Sequence, residues 1–186
     1  LQRDANRLLG YTAQQTLDYL QNLYEKKLCT YPRTDSRYLT SDMAEGLPVL
    51  VNLVANAMPF RKGIAISCDA AQVINDKKVT DHHAVIPTRN IQGADLSALP
   101  VGERAVLELV ALRLLCAVAD PHTYAETSVT VDCAGTEFIA KGRTVKQPGW
   151  RALDAAYRAS MKSAPEQDGN SEDKALPELT EGQALP

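Results

Sequence analysis

The chain has 186 residues, of which 45% are hydrophobic, and a formal net charge of −3. No apolar run approaches the ~20 residues that a membrane-spanning helix needs. Residues 163–186 carry six acidic groups and one lysine, so residues 1–162 hold 19 basic against 17 acidic groups. That weakly basic balance permits binding to nucleic acid but does not require it. The four cysteines form no Cys-x-x-Cys pair, which argues against a zinc site and favours a reducing cytoplasmic compartment.

Two helices with a short turn between them are predicted at the start of the chain. The first covers residues 1–9 and ends at Gly10. It begins mid-pattern without a methionine or a targeting peptide, so we expect a piece of a longer protein. Thr12 and Gln15 form a capping-box pattern that opens the second helix, whose apolar face extends to Leu28. The pair fits a helix-turn-helix or a simple helical hairpin.

A polar run, Thr-Tyr-Pro-Arg-Thr-Asp-Ser-Arg, follows at residues 30–37. Residues 28–31 are predicted to be extended, because Pro32 disfavours helix before it. A tyrosine phenol, with an unperturbed pKa near ~10, needs help to become a nucleophile. A nearby cation such as Arg33 favours the phenolate and can also bind a phosphate. Tyr31 beside Arg33 therefore suggests phosphotyrosine chemistry, and a polar loop with a surface tyrosine is the alternative.

The middle of the chain gives weaker signals. Ser41 is predicted to cap a short helix over residues 42–44, which continues from Pro48 to Met58. Residues 64–74 show no clear periodicity, so no element is assigned to them.

A second polar cluster, Asp-His-His-Ala-Val-Ile-Pro-Thr, lies at residues 81–88. Adjacent histidines on an extended segment point to opposite faces, so they make a poor metal pair. One imidazole can donate a hydrogen bond to a phosphate or transfer a proton near neutral pH, with Asp81 able to orient it. The alternative is that one histidine packs and the other is solvated.

The clearest helix is predicted over residues 100–119, which are apolar on nearly all sides and so suit the centre of a core. After Pro121 the pattern changes to strict alternation from Tyr124 to Cys133, which predicts a strand. Residues 134–136 form a turn, and 137–141 return as a second strand.

Residues 160–174 are polar and acidic, which predicts a mobile loop. A domain boundary near residue 121 separates a mainly helical domain, 1–121, from a β-rich segment, 122–186. The fold class predicted is therefore α+β.

Together these segments resemble the type IA DNA topoisomerases, and most closely their topoisomerase III branch. The matching runs are Leu-Gln-Arg-x-Ala-Asn-Arg at 1–7 and Leu-Tyr-Glu-Lys-Lys at 23–27. Thr-Tyr-Pro-Arg-Thr-Asp-Ser follows at 30–36, then Asp-His-His-Ala-Val-Ile-Pro-Thr at 81–88, and Gly-Trp at 149–150. The resemblance covers nearly the whole chain, in matching order and spacing.

The resemblance implies a fold and a reaction. Residues 1–121 correspond to the family's tyrosine-bearing domain III, a winged helix of the CAP type, and residues 122–186 to part of the antiparallel β arch of domain II. In this family a phenolate attacks a phosphodiester of single-stranded DNA and forms a 5′-phosphotyrosyl link. Another strand then passes through the gap, and the break is resealed without ATP.

The resemblance also assigns roles to residues. Tyr31 corresponds to the nucleophile and Arg33 to the arginine that stabilises charge on the phosphate. His82 corresponds to the family histidine near the scissile region, whereas His83 is left out of the catalytic set. Asp35 is a further candidate that would hold Arg33 in position.

Cofactors and partners follow from the same resemblance. The family's Mg²⁺ site is an acidic cluster of a Toprim domain, and its motif does not occur in this sequence, so no metal ligand is assigned here. The implied partners are single-stranded DNA and the rest of the parent chain, with no membrane. The implied location is the bacterial cytoplasm, in association with the nucleoid, and the fragment alone is expected to be inactive.

Two other functions remain open. One is a non-catalytic helix-turn-helix DNA-binding module in which Tyr31 is structural. The other is a phosphoryl-transfer enzyme unrelated to DNA, although the sequence has neither a Gly-rich phosphate loop nor a Cys-x5-Arg motif.

Overall fold

The computed structural model describes residues 1–161 and 175–184. These residues form two compact units, which we describe separately. The first contains Leu1–Asp120 together with residues 149–161, and the second contains Pro121–Pro148 together with residues 175–184. In this part of the chain there are five α-helices and one two-stranded antiparallel sheet, which confirms the α+β class.

The first two helices confirm the predicted local signals. Helix α1, Gln2–Leu9, ends at Gly10, which has the left-handed φ of 71° that favours glycine. Helix α2, Ala13–Glu25, begins with the predicted capping box. The Gln15 backbone N–H donates to Thr12 Oγ1, and the Thr12 backbone N–H donates to Gln15 Oε1.

Two longer helices follow, α3 at Leu47–Ala57 and α4 at Val101–Val118. As predicted, α4 is the centre of the first unit, and it packs against α1, α2 and α3. Leucine and valine side chains are buried on several sides of it, which matches its apolar character all round. The fully buried members are Val106, Leu107, Leu109, Leu112, Leu115 and Val118.

Between α2 and α4 the chain forms mostly irregular structure and short 3₁₀ turns. The predicted Ser41 cap is wrong: Ser41 begins a 3₁₀ turn, Ser41–Met43, and no side-chain cap is made. The Ser41 backbone N–H instead donates to Asp76 Oδ1 at 2.8 Å, a contact between distant parts of the sequence. The other turns are Pro59–Arg61, Ala70–Gln72, Asp76–Lys78, Arg89–Gln92 and Leu96–Ala98.

The second unit contains the predicted β-hairpin. Strand β1, Thr123–Cys133, pairs with β2, Thr136–Gln147, through the turn at Ala134 and Gly135. Both turn residues have positive φ, as a tight two-residue hairpin turn requires. The second strand was predicted to end at Lys141, and in the structure it continues to Gln147 because its partner strand offers a ladder over the whole length.

The predicted β-rich segment over 122–186 differs from the structure between residues 149 and 161. Helix α5, Arg151–Ser160, packs against α4 in the first unit. It buries Leu153 and Tyr157, which lie four residues apart on one helical face, and the Tyr157 ring meets Phe60 edge-on at 5.3 Å. Burying this apolar face explains why the segment is helical rather than extended.

Ser160 closes α5, and residues 162–174 of the predicted acidic loop lie outside the described residues. None of the helices in residues 1–161 and 175–184 is long and apolar enough to cross a membrane.

Candidate active site

The segment that carries Tyr31 leaves α2 through a sharp turn. Lys27 adopts a left-handed conformation with a φ of 60°, and its N–H donates to the Tyr24 carbonyl at 2.8 Å. The Lys27 carbonyl then accepts hydrogen bonds from the Thr88 hydroxyl and the Asn90 amide. A non-glycine residue is uncommon in this conformation, so these contacts hold a turn that Lys27 would not favour by itself.

Residues 28–30 pair with residues 84–88, so the structure brings the two polar clusters together. Cys29 and Pro87 form an antiparallel bridge. The Thr30 N–H donates to the Ile86 carbonyl at 2.9 Å, and the Ile86 N–H donates to Thr30 Oγ1 at 3.0 Å. The backbone N–H groups of Thr30 and Ile86 are thereby hydrogen-bonded although the two segments form no regular sheet.

The ring of Tyr31 lies between two other rings. Its centroid is 4.4 Å from that of His82, with the planes tilted by 42°. On another side the Tyr24 ring approaches it edge-on, with centroids 5.4 Å apart and an interplanar angle of 82°. Tyr31 is half-buried, and its hydroxyl makes no hydrogen bond to any residue that the structure describes. Two of the predicted site residues, Tyr31 and His82, are therefore in direct contact.

The loop after Tyr31 holds the backbone of His82 in place. Thr34 Oγ1 donates to the His82 carbonyl at 2.7 Å and accepts from the Ser36 N–H at 3.0 Å. The Ser36 hydroxyl donates in turn to the Lys78 carbonyl at 2.8 Å. These hydroxyls connect the polar run at 30–37 to the start of the second cluster, which explains why small hydroxyl residues are frequent in that run.

The two histidines have different surroundings. His83 is half-buried, and its Nδ1 lies 2.7 Å from the Ala84 carbonyl; because a carbonyl can only accept, that nitrogen carries the proton. His82 is exposed and has neither ring nitrogen hydrogen-bonded within the described chain. His82 can therefore donate to a phosphate, whereas one nitrogen of His83 is already used.

Arg33 and Asp35 are exposed and form no ion pair with each other in the described part of the chain. No ion pair or hydrogen bond between these two described side chains supports the predicted role of Asp35 in holding Arg33. The Arg33 guanidinium points into solvent beside the Tyr31 segment, where it can bind a phosphate bidentately.

Asp35 instead lines a cavity of about 630 Å³, together with polar and apolar side chains of α1, α2, α4 and the 32–37 loop. Arg3, Arg37 and Arg113 also line it. Arg113 is paired with Asp4 at 3.1 Å. Arg3 and Arg37 are exposed.

Cys29 is the other possible nucleophile near the site, two residues before Tyr31. Burial raises the pKa of its thiol to about 12, so the thiol stays protonated at neutral pH. The Tyr31 phenol, by contrast, is partly exposed.

Tyr24, whose ring contacts Tyr31, is not among the residues that the sequence predicts for the site. The available signal was an aromatic residue at an exposed position of the last helical turn before the polar run.

No group of three or more His, Cys, Asp or Glu side chains within residues 1–161 and 175–184 is arranged to hold a metal ion. These residues therefore offer no fit for Mg²⁺.

Comparison with known proteins identifies the family of the whole chain. A sequence model of a family described as DNA topoisomerase matches residues 1–186. The DNA topoisomerase 3 of Bacillus licheniformis is 39% identical over 194 residues, which cover 100% of this chain and 25% of that protein. The Bacillus subtilis DNA topoisomerase 3 is 38% identical, again over 100% of this chain and 25% of the relative.

The DNA topoisomerase 3 of Shouchella clausii is 42% identical over 161 residues, or 83% of this chain and 22% of that protein. The chain thus spans about a quarter of the length of these curated relatives. Because the family match extends over every residue from 1 to 186, the chain belongs to the type IA DNA topoisomerase family.

Proposed function

We propose that this chain is the tyrosine-bearing part of an enzyme that cleaves and reseals one strand of DNA. The Tyr31 oxygen attacks a backbone phosphorus, the new O–P bond forms, and the bond from phosphorus to the 3′ oxygen breaks. The phenol gives up its proton and the leaving 3′ oxygen takes one up. The 3′ hydroxyl later reverses the attack, after another strand has passed, so the cycle needs no ATP.

The observation that carries this proposal is the contact between Tyr31 and His82, with the exposed guanidinium of Arg33 two residues along the chain. In the proposed reaction Arg33 binds the non-bridging oxygens, where charge grows in the transition state. His82 donates a hydrogen bond to the same phosphate or transfers a proton. Asp35 would act on the orientation of Arg33 when DNA is bound.

The proposed substrate is single-stranded DNA, which the exposed cations Arg33, Arg37 and Arg3 suit through phosphate contacts. The proposed partner is the remainder of a longer parent chain, in the bacterial cytoplasm and in association with the nucleoid. A Mg²⁺ ion would be held by a Toprim domain of that parent chain. The isolated chain is therefore expected not to relax supercoiled DNA, and a relaxation assay with magnesium would test this.

Residues 1–120 of the first unit are consistent with the proposed arrangement of domains, whereas residues 149–161 of that unit lie beyond its boundary at 121. Helices α1 and α2, joined by the turn at Gly10, supply the helix pair of a winged-helix domain of the CAP type. In this proposal residues 1–121 correspond to the tyrosine-bearing domain. The hairpin β1–β2 would be part of the arch of the parent enzyme.

The experiment that tests the reaction uses the full parent chain and a labelled single-stranded oligonucleotide. Tyr31→Phe removes the attacking oxygen, so we expect no covalent adduct on a denaturing gel and a Kd for the oligonucleotide within about twofold of the parent's. If Tyr31→Phe still captures DNA covalently, Tyr31 is not the nucleophile. Unchanged binding with no cleavage by any variant or by the parent would instead favour a non-catalytic DNA-binding module.

A second variant separates catalysis from binding. Arg33→Ala should slow adduct formation by about 10²–10³-fold and weaken binding much less, if Arg33 acts on the transition state. Arg33→Lys is the matched control, because it keeps the charge and loses the bidentate fork. Equal losses of cleavage and of binding in Arg33→Ala would identify Arg33 as a plain phosphate contact.

A further inference from the structure

Tyr24 is an aromatic residue whose side chain has one ring neighbour in the described structure, Tyr31. It lies in the last turn of α2, is 38% exposed, and its side chain makes no hydrogen bond to a described residue. Its ring meets that of Tyr31 edge-on, with centroids 5.4 Å apart. That distance and the angle of 82° are in the favourable range for aromatic pairs.

The ring of Tyr31 depends on such contacts for its orientation. The Tyr31 hydroxyl has no hydrogen bond to a described residue, so neighbouring rings rather than a polar partner set the direction of the phenol. His82 contacts the ring from one side. His82 is itself exposed, so one histidine contact alone would leave the Tyr31 ring free to turn away.

The end of α2 is well held, so Tyr24 is a rigid support. Glu103 of α4 is buried with 4% of its surface exposed, and it accepts hydrogen bonds from Asn22 at 3.1 Å and from the Lys26 ammonium. Asn22 lies in the last turn of α2 and Lys26 is its C-cap, so the two residues flank Tyr24 in the sequence. The chain then reverses at Lys27, whose N–H is bound by the Tyr24 carbonyl. A ring mounted on this turn has little freedom to shift with the loop.

We propose that Tyr24 is a positioning residue for strand cleavage, one that holds the Tyr31 ring edge-on so that the phenolic oxygen faces the scissile phosphate. The proposal rests on the function proposed above. In-line attack needs the reacting atoms about 3–3.5 Å apart, and a displacement of about 1 Å can cost about 100-fold in rate. Tyr24 acts through its ring, so its own hydroxyl is dispensable.

The other use of an exposed ring beside a nucleic-acid site is to stack on a base. The two roles make opposite predictions about binding. A stacking platform contributes to the affinity for the oligonucleotide, whereas a positioning residue contributes to the rate of cleavage after binding. The geometry favours positioning, because the Tyr24 ring is already in nearly perpendicular contact with the Tyr31 ring, with centroids 5.4 Å apart.

The test compares Tyr24→Ala and Tyr24→Phe in the full parent chain, with single-turnover formation of the covalent adduct as the readout. Tyr24→Ala should lower the rate constant by about 10- to 100-fold. Tyr24→Phe, which keeps the ring, should cleave within about twofold of the parent. The Kd of the same oligonucleotide is measured for Tyr24→Ala in a Tyr31→Phe background, where cleavage cannot disturb it, and should stay within about twofold.

The matched control is Tyr124→Ala, which removes another exposed tyrosine, from strand β1 of the second unit. It should leave the cleavage rate constant unchanged. The proposal is overturned if Tyr24→Ala cleaves at the parent rate, if its Kd rises in proportion to the loss of rate, or if Tyr24→Phe is as slow as Tyr24→Ala. Covalent capture by Tyr31→Phe alone would instead overturn the proposed function, and the two failures are thereby distinguished.

Discussion

The two units of this chain treat their apolar side chains in opposite ways. In the first unit, α4 is surrounded by other helices and four of its leucines have no measurable exposure. In the second unit, Gly142 is the one buried residue of β1 and β2, and Phe138 and Ile139 are 58% and 67% exposed. The first unit is therefore stabilised by a core, and the hairpin by its ladder and turn.

The folded state of each unit therefore has a different source of stability. Burial of apolar surface supplies most of the free energy that opposes chain entropy. A two-stranded hairpin without a covered face is marginal in water. We therefore expect substitutions to be felt strongly in the first unit and weakly in the second, and the candidate active site lies in the unit that is rigid.

The largest expected contrast is in thiol reactivity. Cys29 of the first unit is buried and Cys133 of the hairpin is exposed. The thiolate is the reactive form, and burial raises the pKa of the Cys29 thiol to about 12. Native Cys29 is therefore protected both because the reagent cannot reach it and because its thiol stays protonated. We expect iodoacetamide at pH 8 to label Cys133 on the order of 10³-fold faster than Cys29, measured by peptide mass spectrometry.

Denaturant provides the control for that measurement. In urea both thiols should react at similar rates, because the protection of Cys29 belongs to the folded state. Rapid labelling of Cys29 without denaturant would mean that the first unit opens easily. The first unit would then be no better protected by its core than the hairpin is.

The next contrast is in the cost of removing an apolar side chain. Leu112→Ala empties a fully buried position of α4 and should lower the free energy of unfolding by about 2–5 kcal/mol. Urea unfolding followed by Trp150 fluorescence reports on this, since the chain has one tryptophan and it lies at the start of α5 in the first unit.

The matched variant in the hairpin is Ile139→Ala, at a position that is 67% exposed. It should change the protection of hairpin amides from hydrogen exchange by less than about 0.5 kcal/mol. A cost near that of Leu112→Ala would show that the hairpin face is covered in solution, and the two units would be more alike than the structure indicates.

The smallest expected contrast is between two carboxylates. Glu103 is buried and binds Asn22 and Lys26, so Glu103→Ala leaves both donors without a partner. Because Lys26 is partly exposed and can turn to solvent, we expect a loss of about 1–3 kcal/mol in the same urea experiment. Glu126→Ala, which removes a carboxylate from an ion pair on the hairpin, should cost about 0–1 kcal/mol.

The outcome for Glu103 also bears on the active site, since Glu103 supports the helical turn that carries Tyr24. If Glu103→Ala is as mild as Glu126→Ala, the end of α2 is not held by this carboxylate. The rigidity of Tyr24 would then need another source.

Local features of the fold were predictable because their causes are local. Gly10 ends α1 and the Thr12–Gln15 box opens α2, as a few adjacent residues predict. The alternation in β1 is equally local. Helix α5 was missed, although Leu153 and Tyr157 have helical spacing, because the pattern is short and its apolar face has meaning only against α4 and Phe60.

The candidate site was predictable in its residue types but not in its geometry. Tyr31, Arg33 and Asp35 lie close together in the sequence, and their residue types alone indicate which chemistry they can perform. The absence of an Asp35–Arg33 pair among the described residues, and the contact between Tyr24 and Tyr31, depend on the direction in which the chain leaves α2. Few-residue patterns contain no information about that direction.

The helix pair, the central helix, the hairpin and the family could all be predicted from the amino-acid sequence, because each rests on residues close together in the chain or on short matching runs. The surroundings of Tyr31 depend instead on contacts between distant parts of the chain. The bridge between Cys29 and Pro87 brings His82 to one side of its ring, and the end of α2 brings Tyr24 to another. Long-range backbone pairing selects such neighbours, and no local pattern encodes it.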